Sequence, residues 1–147
     1  MKEGIGGTFM IYVLLVFLAV YITFIAVAFN YARAFKVKNK VIDIIEQNEG
    51  IEDYNDISDN SVLGQINIYL GEVSYIVNGI TNNNCKDFEH INDVRGYCIT
   101  EYETTIDGIS NKYYKVRTFI KLEFPFMDLG FTIPINGETR KIERINT

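Results

Sequence analysis

The chain has 147 residues, with 14 Lys or Arg against 19 Asp or Glu, and therefore a formal net charge of −5. This negative balance disfavours non-specific binding to nucleic acid. One histidine and two cysteines are too few for most metal clusters, and the chain holds no glycine-rich phosphate-binding loop. We expect no nucleic-acid partner, no metal and no cofactor.

An uncharged, mostly apolar stretch runs from Gly4 to Ala32. About 20 apolar residues in a helix cross the hydrocarbon core of a bilayer. One alternative is a cleaved signal peptide that ends at Ala26-Val27-Ala28, but the apolar run from Met10 to Ile25 exceeds the usual ~7–15 residues. Another is a buried core helix, but the remaining chain is too short to surround it. We expect residues 1–32 to be a retained transmembrane helix.

The helical pattern continues beyond the apolar stretch. An apolar stripe follows it at Ala34, Val37, Val41 and Ile44 or Ile45. Gly50 is a suitable C-terminal stop, so we predict one helix from Gly6 to Asn48, with residues 33–50 as the extension of the anchor. The bases of this extension are expected to contact lipid headgroups; they are Arg33, Lys36, Lys38 and Lys40.

Residues 51–147 are expected to form an α+β head domain. A short amphipathic helix capped by Ser58 or Asp59 is predicted from its apolar spacing, Leu63, Ile66, Leu70 and Val73. Strands are predicted at Ser74–Ile80, Tyr97–Ile106, Lys112–Phe124, Phe131–Ile135 and Thr139–Ile145. The pattern indicates a four- to five-stranded antiparallel sheet with one face packed on helix and the other in water.

Turn signals separate these strands. Asp107-Gly108 is expected to end the second strand and Pro125 the third, while Asn136-Gly137 is typical of a tight turn between the last two. Lys112–Phe124 alternates between apolar even positions and mostly charged odd positions. Tyr113 and Phe119 are the aromatic exceptions on the charged face, where they indicate either a subunit contact or cross-strand packing.

Cys85 and Cys98 are open to two interpretations. They are either unrelated free thiols in a reducing compartment or a structural disulfide of a small extracytoplasmic domain, which we favour.

His90 stands among acids, as solvated loop histidines do, and no nucleophile is tied to it by sequence. The acids Glu52, Asp53, Asp56 and Asp59 lack the spacing of a calcium loop and are expected to be solvated.

Both ends of the chain carry a family resemblance. The opening GIGGTFMIYVLLVFLAVYITFIAVAFNYARAF resembles the glycine-led anchor of TadE-like minor pilins of tight-adherence pili, within the type IV pilin-like group. The closing YYKVRTFIKLEFPFMDLGFTIPINGETRKI resembles their C-terminal pattern of an alternating strand, an aromatic-proline step and a final strand pair. The resemblance implies processing after a glycine, for which the candidates are Gly4, Gly6 and Gly7. The glutamate that the family places five residues later is missing; Phe9, Ile11 and Tyr12 stand there.

The resemblance implies a non-enzymatic minor pilin or pseudopilin that contributes to a tight-adherence pilus or related secretion filament. Its partners would be the lipid bilayer and other pilin-like subunits or pilus assembly proteins. The alternative is a single-pass scaffold or sensor module with a partner-binding head; a tethered enzyme is third. We expect a cytoplasmic N-terminus and an extracytoplasmic head, although the bases after the helix favour the opposite orientation.

Overall fold

The chain is an α+β protein in which one long helix carries a small sheet. The computed structural model describes residues 2–106, 108–124 and 127–143, with side chains at 6–105, 108–122 and 130–143. The elements are α1 (Lys2–Gln47), α2 (Val62–Glu72), β1 (His90–Asn92), β2 (Tyr97–Ile106), β3 (Ile109–Phe124), β4 (Met127–Glu138) and β5 (Ile142–Glu143). The predicted layout of long helix, short helix and antiparallel sheet is confirmed.

Helix α1 is continuous, as predicted, and changes its surroundings halfway along. From Gly6 onward it is long and apolar enough to cross a membrane, and the head buries none of its most apolar 18-residue window. Beyond Arg33 the predicted stripe turns inward: Val37, Val41 and Ile45 are at most 1% exposed and belong to the core of the head. The folded unit therefore includes the second half of α1 together with the sheet.

The end of α1 is set by Gly50. Its backbone φ of +115° lies in the left-handed region, and its N–H donates to the C=O of Ile45 at 2.9 Å. A Cβ at this position would lie 2.6 Å from the hydroxyl of Tyr114. The hydroxyl also accepts from the N–H of Ile51 at 3.1 Å. Glycine at position 50 thus allows both the turn and the close approach of β3.

Helix α2 begins later than its sequence suggested. Its N-cap is Ser61, whose Oγ accepts from the N–H of Gly64 at 3.0 Å. The predicted caps, Ser58 and Asp59, are wrong because the chain turns before the helix: the C=O of Ser58 accepts from the Ser61 N–H at 2.9 Å. That carbonyl lies against Gly64, where a Cβ would be 1.8 Å away. The predicted apolar face is confirmed, since Leu63, Ile66 and Leu70 are buried.

The sheet has the order β1-β2-β3-β4, all antiparallel, with β5 paired to β3. β3 is central, as expected for the most clearly alternating segment. β2 and β3 join as a hairpin in which Ile106 pairs with Ile109. Gly108 supplies a φ of +81° there. The predicted features at Asp107, at Pro125 and after Glu143 lie outside the described residues.

Two predicted strand features are wrong. Ser74–Ile80 is not a strand, although Tyr75, Val77 and Ile80 are buried; the segment packs side chains against the sheet without joining its ladder. Asn136-Gly137 is not a turn but lies within β4, where Gly137 pairs with Val116. A Cβ on Gly137 would lie 2.7 Å from Cδ of Lys38 and 2.8 Å from Cδ1 of Ile42. The glycine therefore serves the approach of α1 to the sheet.

Candidate functional site: the helix–head junction

The junction consists of α1 residues 33–46 and the sheet residues that face them. Thr118 of β3 donates from Oγ1 to the C=O of Ala34 at 3.3 Å. One helical turn farther from the N-terminus, Lys38 and Ile42 lie over Gly137 of β4. The junction therefore joins the apolar half of the helix to the head through direct packing of α1 on the sheet rather than through a linker.

The far end of the junction is closed by an ion pair. Glu46 accepts from the backbone N–H of Arg140 at 2.7 Å and pairs with its guanidinium at 3.0 Å. The backbone N–H, followed by the guanidinium, lowers the pKa of Glu46. Arg140 is largely exposed, so the pair contributes modestly to stability, but it fixes the segment between β4 and β5 against α1.

The bases predicted to meet lipid headgroups divide into two groups. Arg33 donates to the carbonyls of Val73 and Ser74, the latter at 2.7 Å, and thereby ties α1 to the end of α2. Lys38 is 9% exposed, with its ammonium 4.2 Å from the ring centroid of Phe35. Lys38 is therefore not a free headgroup ligand, which corrects that prediction; Lys36 is exposed and Lys40 half-buried, and their role stays a prediction.

Cys85 and Cys98 form a disulfide, with Cα atoms 6.1 Å apart. Both are buried. The bond fastens the loop after α2 to β2, on the sheet face opposite the helices. Arg117, opposite Cys98 on β3, donates to the C=O of Asn84 at 2.7 Å and lies 4.5 Å from the ring of Phe88. Part of the face expected to be in water is thus covered by this loop.

This covering loop explains why the prediction that Phe119 lies on the exposed face is wrong. Phe119 is 1% exposed and belongs to the core, because the segment around Tyr75 and Val77 lies over it. It is therefore not available as a surface contact. Tyr113 is half-exposed and stacks on its cross-strand partner Tyr102, with centroids 5.3 Å apart. The packing alternative accounts for Tyr113, and a subunit contact there stays a prediction.

His90 is not the solvated loop residue expected from its acidic neighbours. It begins β1, and its ring lies 5.4 Å from that of Tyr54 and 6.3 Å from that of Tyr97. Burial between these rings lowers the pKa of His90 because desolvation disfavours the imidazolium. The surroundings are aromatic rather than nucleophilic, and the arrangement favours packing by a neutral histidine.

The acidic loop has local hydrogen bonding of its own. Oδ1 of Asp53 accepts from the N–H of Asn55 at 2.8 Å, and Oδ1 of Asp56 accepts from the N–H of Ser58 at 2.9 Å. These are Asx turns, in which an aspartate shapes the backbone, and the second lowers the pKa of Asp56. Among the described residues, no three His, Cys, Asp or Glu side chains are grouped to hold a metal ion.

No family model, no curated protein and no solved structure matches this chain. Sequence reasoning missed Tyr75 and Gly137 as residues of the junction and its cover. The only signal for Gly137 was a glycine within an otherwise strand-like run, which indicates either a turn or a close backbone approach.

Proposed function

We propose that the chain is a non-enzymatic, single-pass membrane protein that acts as a minor pilin or pseudopilin of the TadE-like kind. The observation that carries the proposal is the continuity of α1 between its apolar half and the junction. A rod that is apolar outside the head and rigidly packed within it can bundle laterally with like helices, in a membrane or in a filament.

The apolar half of α1 supplies a surface for such bundling. Its large side chains are exposed along the whole length, from Phe9 at 69% to Phe29 at 71%. Lipid and neighbouring apolar helices are the two environments in which this surface is stable. The head would then occupy the outer layer of the assembly. We propose the bilayer and other pilin-like subunits as its partners.

The orientation with the head outside the cytoplasm is supported by the disulfide, because disulfides persist in oxidising compartments. The opposing argument was the number of bases after the apolar stretch. Two of them have a structural reason for their positions that is independent of topology: Arg33 donates to a backbone carbonyl of the head, and Lys38 is buried where α1 packs over Gly137. We therefore retain the head-out orientation as part of the proposal.

Two measurements on intact cells test the assembly role. Mechanical shearing releases surface filaments, so a C-terminally tagged minor pilin is expected in the sheared fraction and its head is expected to be digested by external protease. Retention in the membrane fraction with a head digested only from outside would favour the scaffold or sensor alternative. A head shielded from external protease would contradict both the orientation and the pilin role.

Processing is testable separately at the candidate glycines. A Cβ on Gly6 or Gly7 meets no atom within 4 Å, so alanine there leaves the fold unchanged. Mass spectrometry of the mature N-terminus is expected to show cleavage after one of Gly4, Gly6 and Gly7, and Gly→Ala at that residue is expected to prevent it. An intact Met1-Lys2-Glu3 terminus in the assembled protein would exclude cleavage.

A further inference from the structure

The end of the β3–β4 hairpin carries an apolar face that extends beyond the core. The pairs Ile120↔Ile133 and Leu122↔Phe131 each place two apolar side chains on one face, since directly opposite residues share a face. Ile120 is 4% exposed, whereas Ile133 is 45% and Phe131 54% exposed. The face therefore begins under α1 and continues into the open.

This end of the hairpin points toward the apolar half of α1. At one end of the contact between β3 and α1, the hydroxyl of Tyr114 accepts from the N–H of Ile51, past the C-terminus of α1. Four residues farther along β3, the hydroxyl of Thr118 donates to the C=O of Ala34. The contact thus moves toward the N-terminus of α1 as β3 advances, so the two elements run in opposite directions.

The hairpin also reaches far enough. β3 continues from Thr118 to Phe124, where it pairs with Met127, and six strand residues span at most ~20 Å. If only half of this strand length, about 10 Å, is directed along the axis of α1, it corresponds to roughly seven helical residues. Counted from Ala34, this places the hairpin end beside the uncharged stretch Gly4–Ala32.

The surroundings at this level are those of a membrane–water interface. Tyr31 and Phe35 are exposed on α1 with ring centroids 6.4 Å apart, and the next residue of the helix, Lys36, is exposed as well. Aromatic rings and bases next to an apolar span are typical of the interfacial layer. The polar side of the hairpin, including Thr132, faces the other way.

We propose that the apolar face of the β3–β4 hairpin, represented by Phe131 and Ile133, inserts into the interfacial layer of the bilayer beside α1. The head then contacts lipid at two places, the helix and the hairpin, and lies on the membrane surface at a fixed angle. This inference rests on the proposed membrane anchoring but is independent of the pilin role. The partner is lipid, at the boundary between headgroups and acyl chains.

The test uses the full chain with its disulfide intact, carrying one added cysteine labelled with a polarity-sensitive fluorophore. The labelled variants are Phe131→Cys, Ile133→Cys, Ile109→Cys and Phe17→Cys. Ile109 is the matched control, because it is 50% exposed but stands at the opposite end of β3. Each protein is placed in nanodiscs of phosphatidylcholine and phosphatidylglycerol, and quenching is measured with nitroxide groups on the upper acyl chain and with aqueous iodide.

We expect nitroxide lipid to quench labels 131 and 133 several-fold more strongly than label 109, and iodide to show the reverse order. Equal quenching at 131 and 109, with label 17 quenched by nitroxide, would overturn the hairpin contact while leaving the anchor. Labels 131 and 133 shielded from both quenchers would overturn it in favour of contact with a second copy. A label 17 open to iodide would overturn the membrane anchoring itself.

Discussion

The hydroxyl of Tyr75 lies 2.9 Å from both the backbone nitrogen and the backbone oxygen of Phe119. These backbone groups point to the β2 side of β3, but β2 begins only at Tyr97, whose partner is Thr118. The C=O of Gly96, which precedes β2, lies 3.2 Å from the same hydroxyl. One tyrosine hydroxyl thus satisfies the backbone where the ladder stops, and burial raises the pKa of Tyr75 to about 12.

Tyr75→Phe is therefore expected to destabilise the head by about 1–3 kcal/mol, because it leaves buried polar backbone groups without a partner. Chemical unfolding of the full chain in detergent micelles measures the change. Tyr102→Phe is the control at a half-exposed position and is expected to change the free energy of unfolding by less than about 0.5 kcal/mol. Equal effects of the two substitutions would show that the hydroxyl of Tyr75 is dispensable.

Gly137→Ala is expected to displace the ends of the Lys38 and Ile42 side chains, which the added methyl group would meet at less than 3 Å. Because these ends can rotate aside, we expect a loss of about 1 kcal/mol, at the low end of the range for overpacking. Gly130→Ala in the same strand is the control, since its nearest contact would be at 4.0 Å. If both variants unfold at the same denaturant concentration, the close approach at Gly137 is not a constraint.

Ile120→Asp and Lys121→Asp test which face of β3 is inside. Ile120 is 4% exposed and Lys121 is exposed, so only the first substitution buries a charge without a counter-ion. A buried unpaired charge costs several kcal/mol, and we expect Ile120→Asp to prevent folding of the head in a protease-resistance assay. Equal resistance of the two variants would contradict the assignment of faces.

Replacing both Cys85 and Cys98 with alanine is expected to lower the free energy of unfolding by roughly 3 kcal/mol in the chain-entropy model. The effect arises because the disulfide closes a loop with a sequence separation of 13. The double replacement avoids a lone thiol, and reduction of the native chain should reproduce it.

Thiol labelling of unreduced protein taken from cells tests the compartment. We expect neither cysteine to react before reduction. Full labelling of both, together with a head shielded from external protease, would place the head in the cytoplasm and favour the scaffold alternative over the pilin.

The pH dependence of stability is expected to reveal His90. Its folded pKa is below the ordinary 6.5, so the unfolded chain binds the proton first as the pH falls. The free energy of unfolding is then constant above about 6.5 and decreases below it until the folded pKa is reached. Because the chain has one histidine, His90→Gln should remove the decrease that begins as the pH falls below about 6.5. An unchanged slope in the variant would contradict the assignment.

The elements that the sequence predicted correctly are those whose pattern is local. The uncharged stretch and the stripe through Val37, Val41 and Ile45 required one long helix, because apolar residues at this spacing form a face whatever lies against it. The alternation in Lys112–Phe124 likewise predicted a strand, since the period of two is a property of the strand itself. Both conclusions needed no knowledge of the partner surface.

The features that the sequence predicted wrongly depend on contacts between distant segments. Gly137 has the same neighbours in sequence as a turn glycine, and only the approach of Lys38 and Ile42 explains it as a strand residue. Phe119 follows the alternation of the solvent-facing side, and only the loop held by Cys85–Cys98 buries it. A period of two assigns a side chain to one of two faces, but what covers each face is decided by tertiary packing.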